Sequence, residues 1–293
     1  MAKWLLLDGS NLVYRSFYAI PELTRADGFP TNALHGWIRT LWRLEDMEKP
    51  EGMAVFFDAK GKTEREKIYP EYKANRDETP ESLSKQFPWT KKIVEACGMP
   101  MREQEGLEAD DLIATAALSL LEQGHTVKIV SADKDLGQLI RPGIMQLLPP
   151  PTANPRIGWR ELDEAGIFAK YGLQPNQIRD YLALVGDTSD NVPGVQGVGP
   201  KTATRWLQEW KSVEGVIEHA AELKPARFQE KLPAALEQLR LSYELVGLDC
   251  NAAMEPLEMK PCDANELIRM LEELEMRTAV NDAEKRYRVG YLF

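Results

Sequence analysis

The sequence predicts an α/β fold, with a mostly parallel central sheet flanked by helices, followed by a helical region. Three observations carry this. Short apolar runs alternate with helical apolar spacings through the first half, acidic residues stand at the ends of those runs, and strand patterns fade from about Trp159 onward.

Taken in order, Trp4–Leu7 reads as a first strand running straight into Asp8, and the spacing over Asn32–Met47 predicts a helix. Met53–Phe57 is a buried strand ending at Asp58, and Asp110–Leu121 is a helix with apolar periodicity. Thr126–Val130 and Ile144–Leu148 are the next strands. The run Pro149-Pro150-Pro151 marks the junction, so an α/β domain is expected over residues 1–165 and a helical domain over 166–293. Lys60–Pro88 breaks the pattern. This polar stretch interleaves Lys60, Lys62, Arg65, Lys67, Lys73, Arg76 and Lys85 with Tyr69, Tyr72 and Phe87. Such long segments inside compact domains are usually functional or mobile, and mobility is expected here.

Bulk properties narrow the classes. A chain of 293 residues with 43% apolar and 28% charged content is ordinary for a soluble globular protein. No apolar run approaches the roughly 18–20 residues of a membrane span. The N-terminus lacks the longer apolar stretch and small-residue cleavage site of a signal peptide. Cys97, Cys250 and Cys262 are far apart, odd in number and fit no C-x-x-C pattern, which points to free thiols in a reducing cytoplasm. A net charge of −10 argues against a nucleic-acid partner unless many of the acids are gathered in one metal site.

Their placement favours that exception. Asp8 and Asp58 close the first two strands, and Asp133 and Asp135 follow the third. In an open parallel sheet the C-terminal strand ends share one edge, so these four should converge on a crevice. Glu108, Asp110 and Asp111 open the next helix, with Glu108 and Asp111 spaced to project from one face. Asp187 and Asp190 lie in Gly186-Asp187-Thr188-Ser189-Asp190-Asn191. Each cluster alone has an ordinary explanation in capping or turn chemistry. Five together point to hard divalent cations such as Mg²⁺ or Mn²⁺, which prefer oxygen ligands and hydrolyse phosphodiesters in pairs. Without cations, the acids would repel and raise one another's pKa values. His35, His125 and His219 lie away from these clusters and a Walker-type phosphate loop is absent.

A second signature is Gly194-Val195-Gln196-Gly197-Val198-Gly199-Pro200-Lys201-Thr202-Ala203, ahead of a helix starting near Pro200. Its glycines permit close backbone approach, and N–H groups at the helix start with Lys201 favour a phosphate. A tight interhelical turn without ligand is the plainer alternative.

These motifs together resemble the 5′ nuclease (flap endonuclease) superfamily, and most of all the 5′–3′ exonuclease domain at the front of bacterial DNA polymerase I. The resemblance runs through Leu7-Asp8-Gly9-Ser10-Asn11, Phe57-Asp58-Ala59-Lys60-Gly61-Lys62-Thr63 and Tyr72-Lys73-Ala74-Asn75-Arg76. It continues through Glu105-Gly106-Leu107-Glu108-Ala109-Asp110-Asp111, Asp133-Lys134-Asp135 and Gly186 to Val195, and closes at Gly197 to Ala203. It implies a PIN-like core, a helical arch at about 60–90 and a helix–three-turn–helix at about 184–206.

It also implies roles. Asp8, Asp58, Glu108, Asp110 and Asp111 match the family's tighter metal group, with Asp110 counted as catalytic, and Asp133, Asp135, Asp187 and Asp190 match the adjoining one. Lys73 and Arg76 match arch residues that meet the scissile phosphate, while Tyr14 and Arg15 fall where the family contacts DNA. Gly197, Gly199, Lys201 and Thr202 would grip duplex backbone, with a potassium ion there in relatives. The expected activity is 5′–3′ exonuclease and structure-specific flap endonuclease in DNA replication or repair. A monomer acting on flapped or branched DNA is expected; a polymerase or clamp partner fits the family, though no motif encodes one. The resemblance ends without room for proofreading or polymerase domains, as in a stand-alone relative or an excised domain.

Three other readings compete. PIN-like ribonucleases share the acid-lined core but are usually shorter and lack the arch and the glycine-rich turn. A non-catalytic branched-DNA-binding module would have lost acids, yet all nine are present. A phosphatase using Asp8 or Asp58 as nucleophile leaves the basic segment without purpose.

Overall fold

The structure is a computed structural model in which residues 2–287 are described. The first half alternates as the periodicity requires: β1 (Lys3–Asp8), α1 (Gly9–Ala19), α2 (Asn32–Glu48), β2 (Gly52–Phe56), α3 (Glu64–Ile68), α4 (Glu81–Ser84), α5 (Phe87–Ala96) and β3 (Met101–Arg102). Then come α6 (Ala109–Glu122), β4 (Thr126–Val130), β5 (Ile144–Leu148) and β6 (Arg160–Leu162). The remainder is helical: α7 (Glu164–Tyr171), α8 (Ile178–Val185), α9 (Pro200–Trp210), α10 (Val213–Glu218), α11 (Phe228–Ala234), α12 (Leu236–Leu245), α13 (Ala264–Glu273) and α14 (Arg277–Tyr287). The strands and helices expected from periodicity fall within two residues of these bounds. The short strands β3 and β6, of two and three residues, carry too little sequence for a period to register.

The six strands lie in the order β3-β2-β1-β4-β5-β6. Pairing is parallel from β3 to β5, and β6 is antiparallel on β5. The chain builds outward on one side of β1 and then returns to its other side with β4. That reversal is a topological switch point, where a crevice opens beyond the C-terminal strand ends.

Alternation along the strands sends Leu5 and Leu7 to one face with α1, α2 and α5, while Leu6 faces α6. Leu5, Leu6 and Leu7 are all fully buried, so both faces of the sheet are covered. A separate apolar cluster gathers Ile178, Leu182, Trp206, Phe228 and Leu239 from the helical half. The expected division at residue 165 falls inside α7, and the packing partitions the chain differently. Leu267, Leu271, Met276 and Ala279 of the C-terminal helices join the core on the α2 and α5 side of the sheet. Residues 248–257 run along the opposite face beside α6. Residues 248–287 therefore fold back onto the first half, a placement that amphipathic spacing alone does not encode.

The segment expected to be mobile is folded here. It contains α3, a turn through Tyr72–Arg76 and α4, with Tyr72, Leu83 and Gln86 buried.

Candidate active site

Asp8 ends β1 and caps α1, accepting from the Asn11 backbone N–H at 2.9 Å and from Ser131 Oγ at 2.7 Å. Gly9 follows because a Cβ there would meet the Phe57 ring at 2.7 Å. Asp58, just past β2, accepts from the Ala109 N–H at 3.0 Å and so fastens the start of α6 beside the strand ends. Asp8, Asp58, Glu108, Asp110 and Asp133 line one crevice of about 610 Å³ with Lys73, Arg76, Tyr14 and Arg15.

The strand-end argument put Asp135 with Asp8, Asp58 and Asp133, whereas the resemblance grouped it with Asp133, Asp187 and Asp190; it turns toward the Asp187–Val192 hairpin. Carboxylate oxygens of Asp135, Asp187 and Asp190 lie within 4.8 Å of one another. The hairpin closes through a two-way backbone pairing of Asp187 and Val192, at 2.9 and 2.7 Å. Gly186 and Gly194 flank it at φ +77° and +61°, and a Cβ on either would strike the other strand at 2.5 Å or less. Asp133 sits between the two groups and interacts electrostatically with Asp110, Asp187 and Asp190.

Asp111 departs from expectation. It does not line the crevice. Its oxygens receive Arg65 Nη1 and Nη2, both at 2.7 Å, the Glu108 N–H at 3.2 Å and the Asp249 N–H at 2.9 Å. With residue 108 the helix N-cap, positions 110 and 111 project from α6 about 100° apart, and only one of them can face the strand ends.

The basic segment is docked on these acids. Lys73 Nζ reaches Glu108 at 2.7 Å and Asp190 at 3.9 Å, and the Lys73 N–H donates to the Asp190 carbonyl at 3.0 Å. Arg76 pairs with Asp190, and Lys134 with Asp187 at 2.8 Å. Asn75 donates to Thr188 O at 2.6 Å and Asn191 to Glu71 O at 2.7 Å. Lys73 and Asn191 both take left-handed backbone, at φ 57°, a cost met where the two turns interlock. Tyr72 was named from sequence only as an aromatic of the basic segment and the start of the Tyr72–Arg76 motif, with no site role of its own. Its buried hydroxyl lies 3.2 Å from Glu108 and 3.4 Å from Asp190. Its only signal was an aromatic beside Lys73.

Electrostatics separate the acids further. Burial, with Asp58 and Asp133 nearby, pushes the Asp8 carboxyl up to about 7 against the lowering bond from Asn11. Burial and then Asp133 and Asp8 raise Asp110 well above the usual range. Burial, Asp133 and Asp187 do the same to Asp135. Asp187 is the reverse: burial opposes ionisation, yet Lys134 and Ser189 hold it below the ordinary value. Asp135 Oδ1 is buried with no hydrogen-bond partner. An orphaned carboxylate oxygen inside a trio of hard oxygen donors, beside acids that resist ionising, fits a divalent cation.

Tyr14 bonds Thr79 and packs edge-on against Phe87 at 5.9 Å, while Arg15 holds the Pro150 carbonyl. Gly197 and Gly199, in the loop before α9, and Lys201 and Thr202, in its first turn, lie apart, outside the crevice lining. Gly197 takes φ +84°, and Gly197 and Lys201 are exposed. None of the three histidines lines the crevice. Among the described residues no helix is long and apolar enough to cross a membrane.

An acid-lined crevice at the switch point of a parallel sheet, joined to a helical half with a glycine-rich turn, defines the class of fold. The 5′-3′ exonuclease N-terminal resolvase-like domain matches residues 3–172, and the 5′-3′ exonuclease C-terminal SAM fold matches residues 173–276. A 5′-3′ exonuclease of Aquifex aeolicus is 43% identical over 293 residues, covering 98% of this chain and 97% of the relative. DNA polymerase I of Thermus aquaticus is 38% identical over 280 residues, covering 95% of this chain and 32% of that longer relative. The fold is shared by T5 5′-exonuclease with divalent metal ions (zinc) bound, at a TM-score of 0.69 and 20% identity, covering 97% of this chain and 98% of that one. The catalytic core of Rad2 in complex with DNA substrate aligns at 0.60 and 17% identity, over 93% and 87%. The chain belongs to the 5′–3′ exonuclease family. Its activity class is accordingly that of a phosphodiester hydrolase acting from 5′ ends.

Proposed function

We propose that this enzyme is a divalent-metal-dependent 5′ nuclease that cuts DNA near single-strand/duplex junctions, as a flap endonuclease as well as an exonuclease. The observation that carries the reading is the buried, unpartnered Asp135 Oδ1 among three carboxylates within 4.8 Å of one another. Beside it, Asp8, Asp58, Asp110 and Asp133 line the same opening as Lys73 and Arg76. Asp8, Asp58, Glu108, Asp110 and Asp133 would hold ions at the strand ends, and Asp135, Asp187 and Asp190 would hold ions beneath the hairpin. Bound divalent ions supply Lewis-acid charge neutralisation and a nucleophile at neutral pH; Mg²⁺ is the ion we favour, since it accepts a few carboxylates plus phosphate.

The chain's own groups do the rest. The Lys73 ammonium stays charged: burial opposes this, but Glu108 and Asp190 outweigh it. It meets the charge that develops on the scissile phosphate, and Arg76 holds the neighbouring one. Tyr14 and Arg15 face the entering strand. The glycine-rich loop before α9 takes the duplex backbone with Lys201 and Thr202, and potassium is the ion expected there. Backbone contacts of this kind select shape without reading sequence. A monomer in the cytoplasm, with thiols free, fits this role in replication or repair.

The test is a 5′-labelled flap duplex incubated with Mg²⁺, with EDTA, and with Asp110→Asn in Mg²⁺. Junction-proximal cleavage that needs Mg²⁺ and vanishes in the variant is expected. Tight flap binding by every sample with no cleavage would leave a binding module instead.

A further inference from the structure

Arg65 stands at the base of the basic segment, on α3, and does not itself line the crevice. Its guanidinium forms a bidentate pair with Asp111, both distances 2.7 Å, and reaches Glu108 at 3.2 Å. Its remaining N–H groups donate to the carbonyls of Leu245, at 2.9 Å, and of Gly247. Leu245 is the last residue of α12, whose unpaired terminal carbonyls and dipole favour a cation. Asp111 in turn receives the Glu108 and Asp249 N–H groups. Side chains of both partners are almost wholly removed from solvent, at 12% and 2% exposure.

Three parts of the chain therefore meet at one ion pair. One is α6, which carries Glu108 and Asp110. The second is α3, which leads into Lys73 and Arg76. The third is the end of α12, which packs along α8, the helix that leads directly into Asp187 and Asp190. A planar guanidinium with all five donors directed has little freedom, so it fixes relative positions as well as charge.

We infer that Arg65 and Asp111 are a positioning pair that sets the two carboxylate groups and the basic segment in register, and that Asp111 is not a metal ligand. The inference rests on the nuclease reading for its activity arm only. Each Asp111 oxygen already accepts two hydrogen bonds and the residue is outside the crevice lining, whereas Asp110 is part of it. A side chain one residue away thus does different work because the helix turns it about 100° from its neighbour.

The experiment compares wild type, Asp111→Asn, Arg65→Gln, the double variant and Asp110→Asn in two readouts. Mn²⁺ binding to the DNA-free protein is followed by electron paramagnetic resonance, and single-turnover flap cleavage is measured over a Mn²⁺ series. Asp111→Asn and the double variant should bind as many Mn²⁺ ions as wild type, with affinity within about twofold, while Asp110→Asn loses binding. Cleavage at saturating Mn²⁺ should fall about tenfold or more in Asp111→Asn, and no further in the double variant, because the two residues act as a unit. Loss of Mn²⁺ from Asp111→Asn comparable with Asp110→Asn, or recovery of its rate at high Mn²⁺, would overturn the inference. So would an unchanged rate. If a single variant strands a buried charge and fails to fold, the double variant, which removes both charges, still decides the Mn²⁺ arm. A wild type that binds Mn²⁺ yet cuts no flap would sink the nuclease reading alone.

Discussion

Two groups of carboxylates, in and beside one opening, meet opposite electrostatic treatment. Asp8, Asp110, Asp133 and Asp135 face mainly one another, and burial with mutual repulsion raises all four pKa values. Glu108, Asp111, Asp187 and Asp190 are met by Lys73, Arg65, Lys134 and Arg76. Among the described residues no side-chain cation forms an ion pair with the first group, although Lys73 and Lys134 act on it at longer range; the second is paired with side chains of the basic segment and its neighbours. A carboxylate in a cluster is therefore not a ligand by residue type. Asp111 is the clearest case: both of its oxygens are taken by Arg65 and by backbone N–H groups, which sets it apart from the acids that line the opening.

The largest effect should come from the uncompensated group. Asp110→Asn is expected to lower flap cleavage at saturating Mg²⁺ by about 10³-fold, the upper end for loss of a preorganised electrostatic contact. Retention of a tenth of the activity would erase the contrast between the groups. Lys73→Ala should cost about 10²-fold, mainly in kcat, because its cation matters most once phosphate charge develops. A pure rise in KM would reassign Lys73 to ground-state binding.

Stability provides a third comparison. Asp8 titrates near 7 in the folded chain against 3.8 for the free side chain, so the folded state resists its ionisation. For the metal-free protein, this stability is present below about pH 4 and is lost as pH rises toward 7. Adding Mg²⁺ or Mn²⁺ at a concentration about a hundredfold above its Kd at pH 7.5 should raise Tm by about 4–5 °C per bound ion at that pH. The gain should be clearly smaller at pH 5; equal gains at both would contradict the strained-acid account.

The smallest effect lies outside the crevice. Asp180 on α8 is pushed up to about 6, first by burial and then by Glu214, while it accepts from the Val213 N–H at 3.3 Å. Its penalty also grows as pH rises from about 4 to 6, yet no ion is expected there. Asp180→Asn keeps the acceptor and should raise Tm by a few degrees at pH 8, about 1 kcal/mol, with no gain at pH 4. Unlike the gain at Asp8, it should not depend on metal.

Much of this was legible in the chain. Strand periods ran into Asp8 and Asp58, and Gly186-Asp187-Thr188-Ser189-Asp190 declared a turn with acids. What escaped were contacts between distant segments. Tyr72 and Arg65 appeared only as members of a polar, basic stretch, because nothing local marks an arginine whose partners are 46 and 180 residues away. The polar composition of the same stretch also conceals that its partners are other polar groups, at Thr188, Asp190 and Glu108. The return of α13 and α14 onto the first core escaped for the same reason: an amphipathic helix announces that it has a partner without saying which.

The sequence by itself determined the alternation of strands and helices, the acids at their ends and the family, since all three are written in short-range spacing. Only the tertiary structure decided which acids face open space and which face a guanidinium. That choice depends on the rotation of α6, on the docking of Lys73 and Arg76 against the Asp187–Val192 hairpin, and on charges that come close only when segments far apart in the chain pack together.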